Sequence, residues 1–305
     1  MLVNNSPAGL MSDVLIEVFR SALRSACDER AFMLRAVGIA SVIDFDAEQY
    51  LLRVEDIDAA QALQQVRLYE TETRRAPPQP VLPQPQPYPH AAMGCLIYAL
   101  VLLIIGYAVA NGLWRLDAFE LGELNAQRVQ SGQWWRAWTA LTLHLDGAHL
   151  LSNLVGGVWF GYLAARQIGT GVAWLLIVSG AALANLIEAL LGPATHRSVG
   201  ASTAVFTALG LLAAHAWRTR FHLPQRWALR WAPLVGGAVL LGWLGTAGEG
   251  TDIVAHALGF VVGVGLGACV ALPELERALR RVPQWLPGAA ALGCIAIAWT
   301  CALCS

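Results

Sequence analysis

From residue 91 to its end, the chain is a succession of apolar segments, and this feature constrains the fold more than any other. Seven segments approach the roughly 20 residues that an α-helix needs to cross a bilayer. They cover residues 91–113, 146–166, 171–191, 200–217, 231–247, 252–272 and 287–304. Several are rich in glycine and alanine, which is typical of helices that pack on other helices. We therefore predict an all-α polytopic membrane protein that has the lipid bilayer as a partner.

The charged residues separate this region from the first part of the chain. Of the 41 charged side chains, 20 lie in residues 1–76, and none lies between Arg75 and Arg115. Residues 1–76 are therefore predicted to form a small soluble α+β domain. The net charge of -1 argues against a nucleic-acid partner, because phosphates require a basic surface.

Local patterns predict the elements of the N-terminal domain. The apolar spacing over residues 12–27 predicts a helix, and a second helix is expected to end near Val37. Residues 39–45 and 49–54 favour a hairpin, and a last helix is expected to reach Glu72. Residues 77–90 contain seven prolines and favour an extended linker. The same segment is also compatible with a ligand of a proline-binding domain.

Arginines in the connecting loops predict the orientation in the membrane. If the N-terminus is cytoplasmic, the loops on the cytoplasmic side carry eight arginines and the opposite loops carry four. Basic residues are retained on the cytoplasmic side, so we expect a cytoplasmic N-terminus and an external C-terminus. The start of the chain does not have the pattern of a signal peptide, which agrees with this orientation.

Three apolar segments carry polar residues near their first turns. They are His149 and Asn153 in the second segment, Ser202 in the fourth and His256 in the sixth. Each alone is compatible with hydrogen bonding between helices or with a bond to the local backbone. The three segments run in the same direction in the predicted topology, however, so these side chains are expected at one depth near the external surface.

Together these residues predict acyl-transfer chemistry. Ser202 beside His256 provides a nucleophile and a general base, because a serine hydroxyl is a weak nucleophile until a base takes its proton. His149, the Asn153 amide and the Ser202 backbone N–H are candidate donors to an oxyanion. Asp252 is suitable to orient the imidazole, but we favour an N-cap role for it and hence a Ser/His dyad.

The same motifs resemble those of the rhomboid intramembrane serine proteases. The run WWRAWTALTLHLDGAHLLSN, residues 134–153, is similar to the family's first-loop and second-helix signature. GASTAVF resembles its GxSG-type serine motif, and AHALGFVVG resembles its AHxxGxxxG histidine motif. The resemblance implies a six-helix catalytic core over residues 91–272, followed in 273–305 by a loop and a seventh transmembrane helix.

The resemblance implies roles for eight residues. Ser202 and His256 would be catalytic, and His149 and Asn153 would stabilise the oxyanion. The supporting residues would be Gly200, Phe206, His144 and Gly259. Two positions depart from the family pattern: Thr203 replaces the usual glycine after the serine, and Leu143 stands where an aromatic residue is common.

The function implied is intramembrane endopeptidase activity on transmembrane protein substrates near the outer face, in a bacterial inner membrane, with an unknown partner for the N-terminal domain. The alternative is a catalytically silent relative that binds membrane clients. A transporter would be expected to carry more charge at mid-depth, and a metal hydrolase would need a carboxylate base of the HExxH kind. The six cysteines show no metal or disulfide spacing, so no cofactor and no metal are expected.

Overall fold

A computed structural model describes residues 15–75, 88–113, 117–221, 227–246 and 251–305 of the chain. The chain divides into two compact units, Met1–Gln84 and Pro85–Ser305, and each is described by itself. Most of the proline-rich segment lies outside the described residues.

The N-terminal unit is a small α+β domain, as the sequence predicts. Its elements are β1 (Leu15–Ser21), α1 (Arg24–Ala36), β2 (Val42–Asp46), β3 (Gln49–Glu55) and α2 (Asp56–Arg75). The three strands form an antiparallel sheet in the order β1-β3-β2. The predicted hairpin is confirmed: β2 and β3 are joined by a two-residue turn in which Ala47 and Glu48 both have positive φ. Leu34 of α1 and Leu52 and Val54 of β3 are fully or almost fully buried and belong to one core cluster.

The helix predicted over residues 12–27 is wrong over most of the range that the structure describes, because residues 15–21 form the strand β1. Only residues 24–27 are helical, as the first turn of α1. The register of β1 on β3 shifts between Glu17 and Phe19, which indicates a β-bulge. Ile16, Val18 and Phe19 consequently all pack on the core. The bulge breaks the alternation that marks a strand, and pairing with β3 overrides the helical spacing.

The second unit contains the apolar segments. Its elements are α3 (Ala91–Ala110), α4 (Ala118–Gly122), β4 (Leu124–Asn125), α5 (Ala126–Gln130), α6 (Arg136–Thr139), a 3-10 turn (Ala140–Thr142), α7 (Gly147–Ile168), α8 (Thr170–Leu191), β5 (Arg197–Ser198), α9 (Ser202–Arg220), α10 (Trp227–Leu244), α11 (Ile253–Val270), α12 (Pro273–Arg281) and α13 (Trp285–Cys304). Each of the seven predicted segments corresponds to one long helix.

Five of these long helices, in the part of the chain that the structure describes, are long and apolar enough to cross a membrane: α3, α8, α10, α11 and α13. The other two long helices, α7 and α9, carry the polar residues that the sequence analysis identified. Residues 203–215 of α9 are all buried, so this helix is enclosed by its neighbours. Among the described residues, the unit is a bundle of seven long helices, six in the predicted core and α13 at its C-terminal end.

A row of glycines on α11 lets it pack directly on the backbone of α9. A Cβ at Gly259 would lie 2.7 Å from the carbonyl oxygen of Thr203, and one at Gly263 would collide with the carbonyl oxygen of Thr207. Both partners advance by four residues in the same direction, so α9 and α11 are parallel. This packing brings the first turns of the two helices to the same end of the bundle.

The loop before α7 is compactly folded around a buried arginine. Arg136 is 2% exposed, and its guanidinium donates to the carbonyl oxygens of Glu120 at 2.8 Å and Glu123 at 2.9 Å. Thr139 donates to the carbonyl oxygen of Gly122 at 2.7 Å. Asn185 of α8 donates to the carbonyl oxygen of Ala137 at 3.0 Å, which attaches the loop to the bundle.

Candidate active site

A cavity of about 1400 Å³ opens at the end of the bundle where α7, α9 and α11 begin. Both of the predicted catalytic side chains and both of the predicted oxyanion donors line it. They are Ser202, His256, His149 and Asn153. The structure therefore brings together residues that are up to 107 positions apart in the sequence.

Ser202 is the first residue of α9 and is half-buried. The turn before it is fixed by two bonds, since the Gly200 N–H donates to the carbonyl oxygen of Ala140 and the Ala201 N–H donates to His144. Among the described residues, the N–H groups of Ser202 and Thr203 have no acceptor. A helix N-terminus with free N–H groups favours a negative charge, so these groups are suited to bind an oxyanion.

His256 is held in one tautomer. Its ring is 6% exposed, and its Nδ1 lies 2.9 Å from the carbonyl oxygen of Gly245. A carbonyl only accepts hydrogen bonds, so Nδ1 carries the proton and Nε2 keeps its lone pair. The ring of Phe206 packs against the imidazole with a centroid separation of 4.5 Å. Sequence reasoning missed Gly245, because a backbone acceptor leaves no side-chain signature.

In the part of the chain described, Ser202 and His256 are not hydrogen bonded to each other. Catalytic hydrogen bonds are often long in a structure without substrate and shorten when substrate binds. Asp252 accepts from the Ala255 N–H at 3.0 Å, which confirms that it caps α11. The observed orienting partner of His256 is therefore the Gly245 carbonyl.

His149 and Asn153 lie one turn apart on α7 and both approach Gly200. A Cβ at Gly200 would lie 2.7 Å from His149 Nε2 and 3.5 Å from Asn153 Nδ2. Asn153 is 5% exposed, and no acceptor is found for its Nδ2 among the described residues. Its backbone is fixed, since Tyr98 donates to the Asn153 carbonyl oxygen at 2.8 Å. A buried, unpaired donor beside Ser202 is the arrangement that an oxyanion site requires.

Gly200 combines a special backbone conformation with a close contact. Its φ is +132°, which side-chain-bearing residues rarely adopt. We expect Gly200→Ala to lower the free energy of unfolding by more than the roughly 1–3 kcal/mol of backbone strain alone, because the new methyl group also strikes His149. Thermal unfolding in detergent measures this change. Gly132→Ala is the matched control, since Gly132 has φ of +108° and open space around it. Equal losses in both variants would contradict the steric contribution.

His144 supports the turn before Ser202. Its Nε2 accepts from the Ala201 N–H at 3.3 Å, and its ring packs edge-on against His149 with a centroid separation of 5.1 Å. Burial lowers the pKa of His144 to about 4. The imidazole is therefore neutral at pH 7 and remains an acceptor for Ala201.

A pH dependence of stability follows from this lowered pKa. An exposed histidine titrates near about 6.5, so between pH 6.5 and about 4 the unfolded state binds more protons at this residue than the native state. We expect the free energy of unfolding to decrease as the pH falls through this window. Melting temperatures should drop more steeply for the wild type than for His144→Gln, which does not titrate. Parallel pH profiles for the two proteins would refute the assignment.

The two departures from the family pattern are both accommodated by packing. Thr203 is 3% exposed, its methyl group faces Gly259, and it does not line the cavity. Leu143 is 1% exposed and clusters with Trp299 of α13. Trp299 also donates to the Thr142 hydroxyl at 3.1 Å. The last helix therefore supplies an aromatic side chain next to the leucine.

Comparison with known proteins agrees with this architecture. Residues 131–273 match the model of the Rhomboid domain. The chain is similar to the rhomboid protease GluP of Bacillus subtilis, with 31% identity over 84 residues, which cover 28% of this chain and 16% of that protein. It is also similar to rhomboid-like protease 3 of Toxoplasma gondii, with 29% identity over 165 residues, 54% of this chain and 60% of that protein.

The matched stretches thus span less than two thirds of either relative. The family match extends from the loop before α7 to just beyond α11, so it includes the first turns of α7, α9 and α11, where the cavity opens. The resemblance to rhomboid proteases that the motifs indicate is therefore supported over residues 131–273, which match the Rhomboid domain.

Proposed function

We propose that this protein is an intramembrane serine endopeptidase that cleaves transmembrane segments of membrane proteins near the outer face. One observation carries the proposal: Ser202 and His256 line the same cavity, at the same end of two parallel helices, and His256 keeps its Nε2 lone pair. A nucleophile and a base in this relation are the minimum for acyl transfer.

The proposed reaction has two halves. The Ser202 oxygen attacks the substrate carbonyl while His256 Nε2 takes the hydroxyl proton, which it then delivers to the leaving amine. The negative charge on the carbonyl oxygen is stabilised by donors of Asn153, His149 and the first turn of α9. Water entering from the cavity then hydrolyses the acyl-enzyme, with His256 again as the base.

The surface of the cavity supports a membrane-embedded substrate. Val155 and Trp159 of α7 and Leu244 of α10 all line the cavity, and each is more than a third exposed. Apolar side chains at the rim of a polar site are suited to an apolar peptide arriving from lipid. The substrate helix must unwind locally, because a helix shields its own carbonyl groups.

We propose the domain organisation and the membrane orientation together with this activity. The protein would lie in a bacterial inner membrane, with its N-terminus in the cytoplasm and its C-terminus outside. Its parts would be a soluble domain at 1–76, a linker at 77–90, a catalytic core at 91–272 and the region 273–305. The arginine distribution supports this orientation. Accessibility of cysteines introduced at each end of the chain to an impermeant reagent tests it in intact cells.

Covalent labelling tests the proposed nucleophile directly. A fluorophosphonate should modify the full-length protein in detergent micelles at Ser202, with the adduct located by mass spectrometry of the digested protein. In parallel, a reporter with one transmembrane segment should be cleaved in liposomes. Labelling at another residue would exclude the mechanism. Firm reporter binding without cleavage or labelling would instead support the catalytically silent relative.

The oxyanion role gives a separate prediction. Asn153→Ala should lower kcat by about 100-fold, the loss typical for one oxyanion donor. Reporter cleavage at saturating substrate measures it. Ser152→Ala is the matched control: Ser152 lines the same cavity, but its hydroxyl already donates to the carbonyl oxygen of His149. An unchanged kcat in Asn153→Ala would remove the amide from the mechanism.

A further inference from the structure

A second group of ionisable side chains meets at the edge of the cavity. Glu188 lies in the last turn of α8, His196 precedes β5, and Asp252 caps α11. His196 Nε2 lies 3.2 Å from Asp252 Oδ2 and 3.6 Å from Glu188 Oε1. One ligand atom from each of the three residues lies within 4.8 Å of the other two.

The two separations from His196 Nε2 are close to the edge of a small coordination polyhedron. Nitrogen and carboxylate oxygen ligands bind zinc at about 2.0–2.2 Å in a tetrahedron, which places neighbouring ligand atoms about 3.4 Å apart. Although His196 Nε2 and Asp252 Oδ2 are close, neither makes a hydrogen bond within the described residues. In the His196 tautomer with its proton on Nδ1, both atoms offer a lone pair to one common ion.

The charges of the group are also suited to a cation. Glu188 is 5% exposed, and its Oε2 has no hydrogen-bond partner among the described residues. Burying a carboxylate without a partner is costly. The neighbouring Arg197 is directed elsewhere, since its guanidinium donates to Glu123 at 3.0 Å. A divalent ion would balance the charges of both carboxylates.

The three ligands are held by independent parts of the fold. The His196 N–H donates to the carbonyl oxygen of Pro193, and the His196 carbonyl accepts from Ala126. Asp252 uses Oδ1 for the cap of α11, which leaves Oδ2 for another partner. His196 and Asp252 line the cavity and are each about a fifth exposed at their side chains, so an ion can enter from that side.

We propose that Glu188, His196 and Asp252 bind one divalent transition-metal ion of the zinc class, with water completing the coordination. An imidazole with two carboxylates favours such an ion over calcium or magnesium, which prefer oxygen ligands alone. The ion would join the end of α8, the loop before β5 and the start of α11, four residues before His256. The site does not depend on protease activity, because metal binding is measured by itself.

The test uses the full-length chain without a polyhistidine tag, in detergent micelles. The background variant Cys301→Ser/Cys304→Ser removes a pair of thiols that could bind metal independently. After treatment with a chelator, zinc is titrated in competition with a chromophoric chelator, and bound metal is counted by elemental analysis. Absorption of the cobalt(II)-loaded protein then reports coordination geometry and ligand type.

We expect one zinc per chain, and a cobalt spectrum of tetrahedral type without thiolate charge-transfer absorption. Mutation of a residue that hydrogen bonds to a metal ligand typically lowers metal affinity by about 10–100-fold. Loss of a ligand itself should cost more, so His196→Ala and Asp252→Asn should each weaken zinc binding by at least about 100-fold. Asparagine still caps a helix, so Asp252→Asn keeps the start of α11. Glu123→Gln is the matched control, because it removes another carboxylate that lines the cavity.

Each remaining outcome overturns the proposal. Substoichiometric zinc, or equal affinity in His196→Ala, Asp252→Asn and the wild type, would mean that the three residues form an ion-pair network only. Equal weakening in Glu123→Gln would indicate a diffuse electrostatic effect. Displacement of zinc by millimolar calcium would refute the class of ion.

Discussion

Replacing Ser202 by alanine should lower the rate of reporter cleavage by about 10⁴-fold or more, and replacing His256 by alanine should do nearly the same. The reason is that neither group works alone: the hydroxyl needs a base to become a nucleophile, and the base has nothing to activate without the hydroxyl. The double variant should therefore be hardly slower than either single variant. Cleavage of a single-span reporter in liposomes, followed over time, measures all three.

These rates report on catalysis only if the variants fold as the wild type does. Ser202→Ala removes only one oxygen atom, so its melting temperature in detergent should stay close to that of the wild type. Ser198→Ala is the matched control, because Ser198 also lines the cavity and precedes Ser202 by only four residues. Undiminished cleavage by Ser202→Ala, or an equal loss in Ser198→Ala, would reject the assignment of the nucleophile.

Gly263→Val should destabilise the bundle by more than about 3 kcal/mol. Enlarging a core side chain typically costs about 1–3 kcal/mol when neighbouring side chains can move aside. Here a Cβ at Gly263 meets the carbonyl oxygen of Thr207, which is backbone inside α9 and cannot rotate away. The two helices must separate, and this also separates Ser202 from His256. Thermal unfolding in detergent and reporter cleavage should both show the loss.

The chain offers a close control for this substitution on the same helix. Gly265 is two residues further along α11 and is exposed, and a Cβ there meets nothing within 4 Å. Gly265→Val introduces the same side chain with the same local helix propensity, so the difference between the two variants isolates the contact with α9. Similar melting temperatures for both valine variants would show that α9 and α11 are not held at this distance.

The membrane region was predictable from the sequence because its signals are local. The length of the apolar segments identified all seven long helices. The segments of α9 and α11 are the fourth and the sixth, so they cross the membrane in the same direction and are expected to be parallel. The paired glycines of α11 also carried a recognisable spacing, and Asp252 preceded its helix as a cap should. These features depend on residues within a few turns of one another.

What the sequence could not predict depends on distant or backbone contacts. The apolar spacing of residues 12–27 predicts a helix where residues 15–21 form β1, because the bulge near Val18 breaks the alternation of a strand. Only pairing with β3 reveals the strand. The carbonyl of Gly245 that orients His256 has no side chain to recognise. Glu188 and Asp252 are 64 residues apart, and only the folding of α8 against α11 brings their carboxylates to His196.

The hydrogen bond from Trp299 to Thr142 connects the C-terminal helix α13 to the loop before α7. Thr142 precedes His144 by two residues, and His144 accepts from the N–H of Ala201 immediately before Ser202. A continuous line of contacts thus runs from the C-terminal helix to the proposed nucleophile. Deleting α13 would remove Trp299 and its hydrogen bond to Thr142. We therefore expect α13 to be needed for the position of the turn before Ser202.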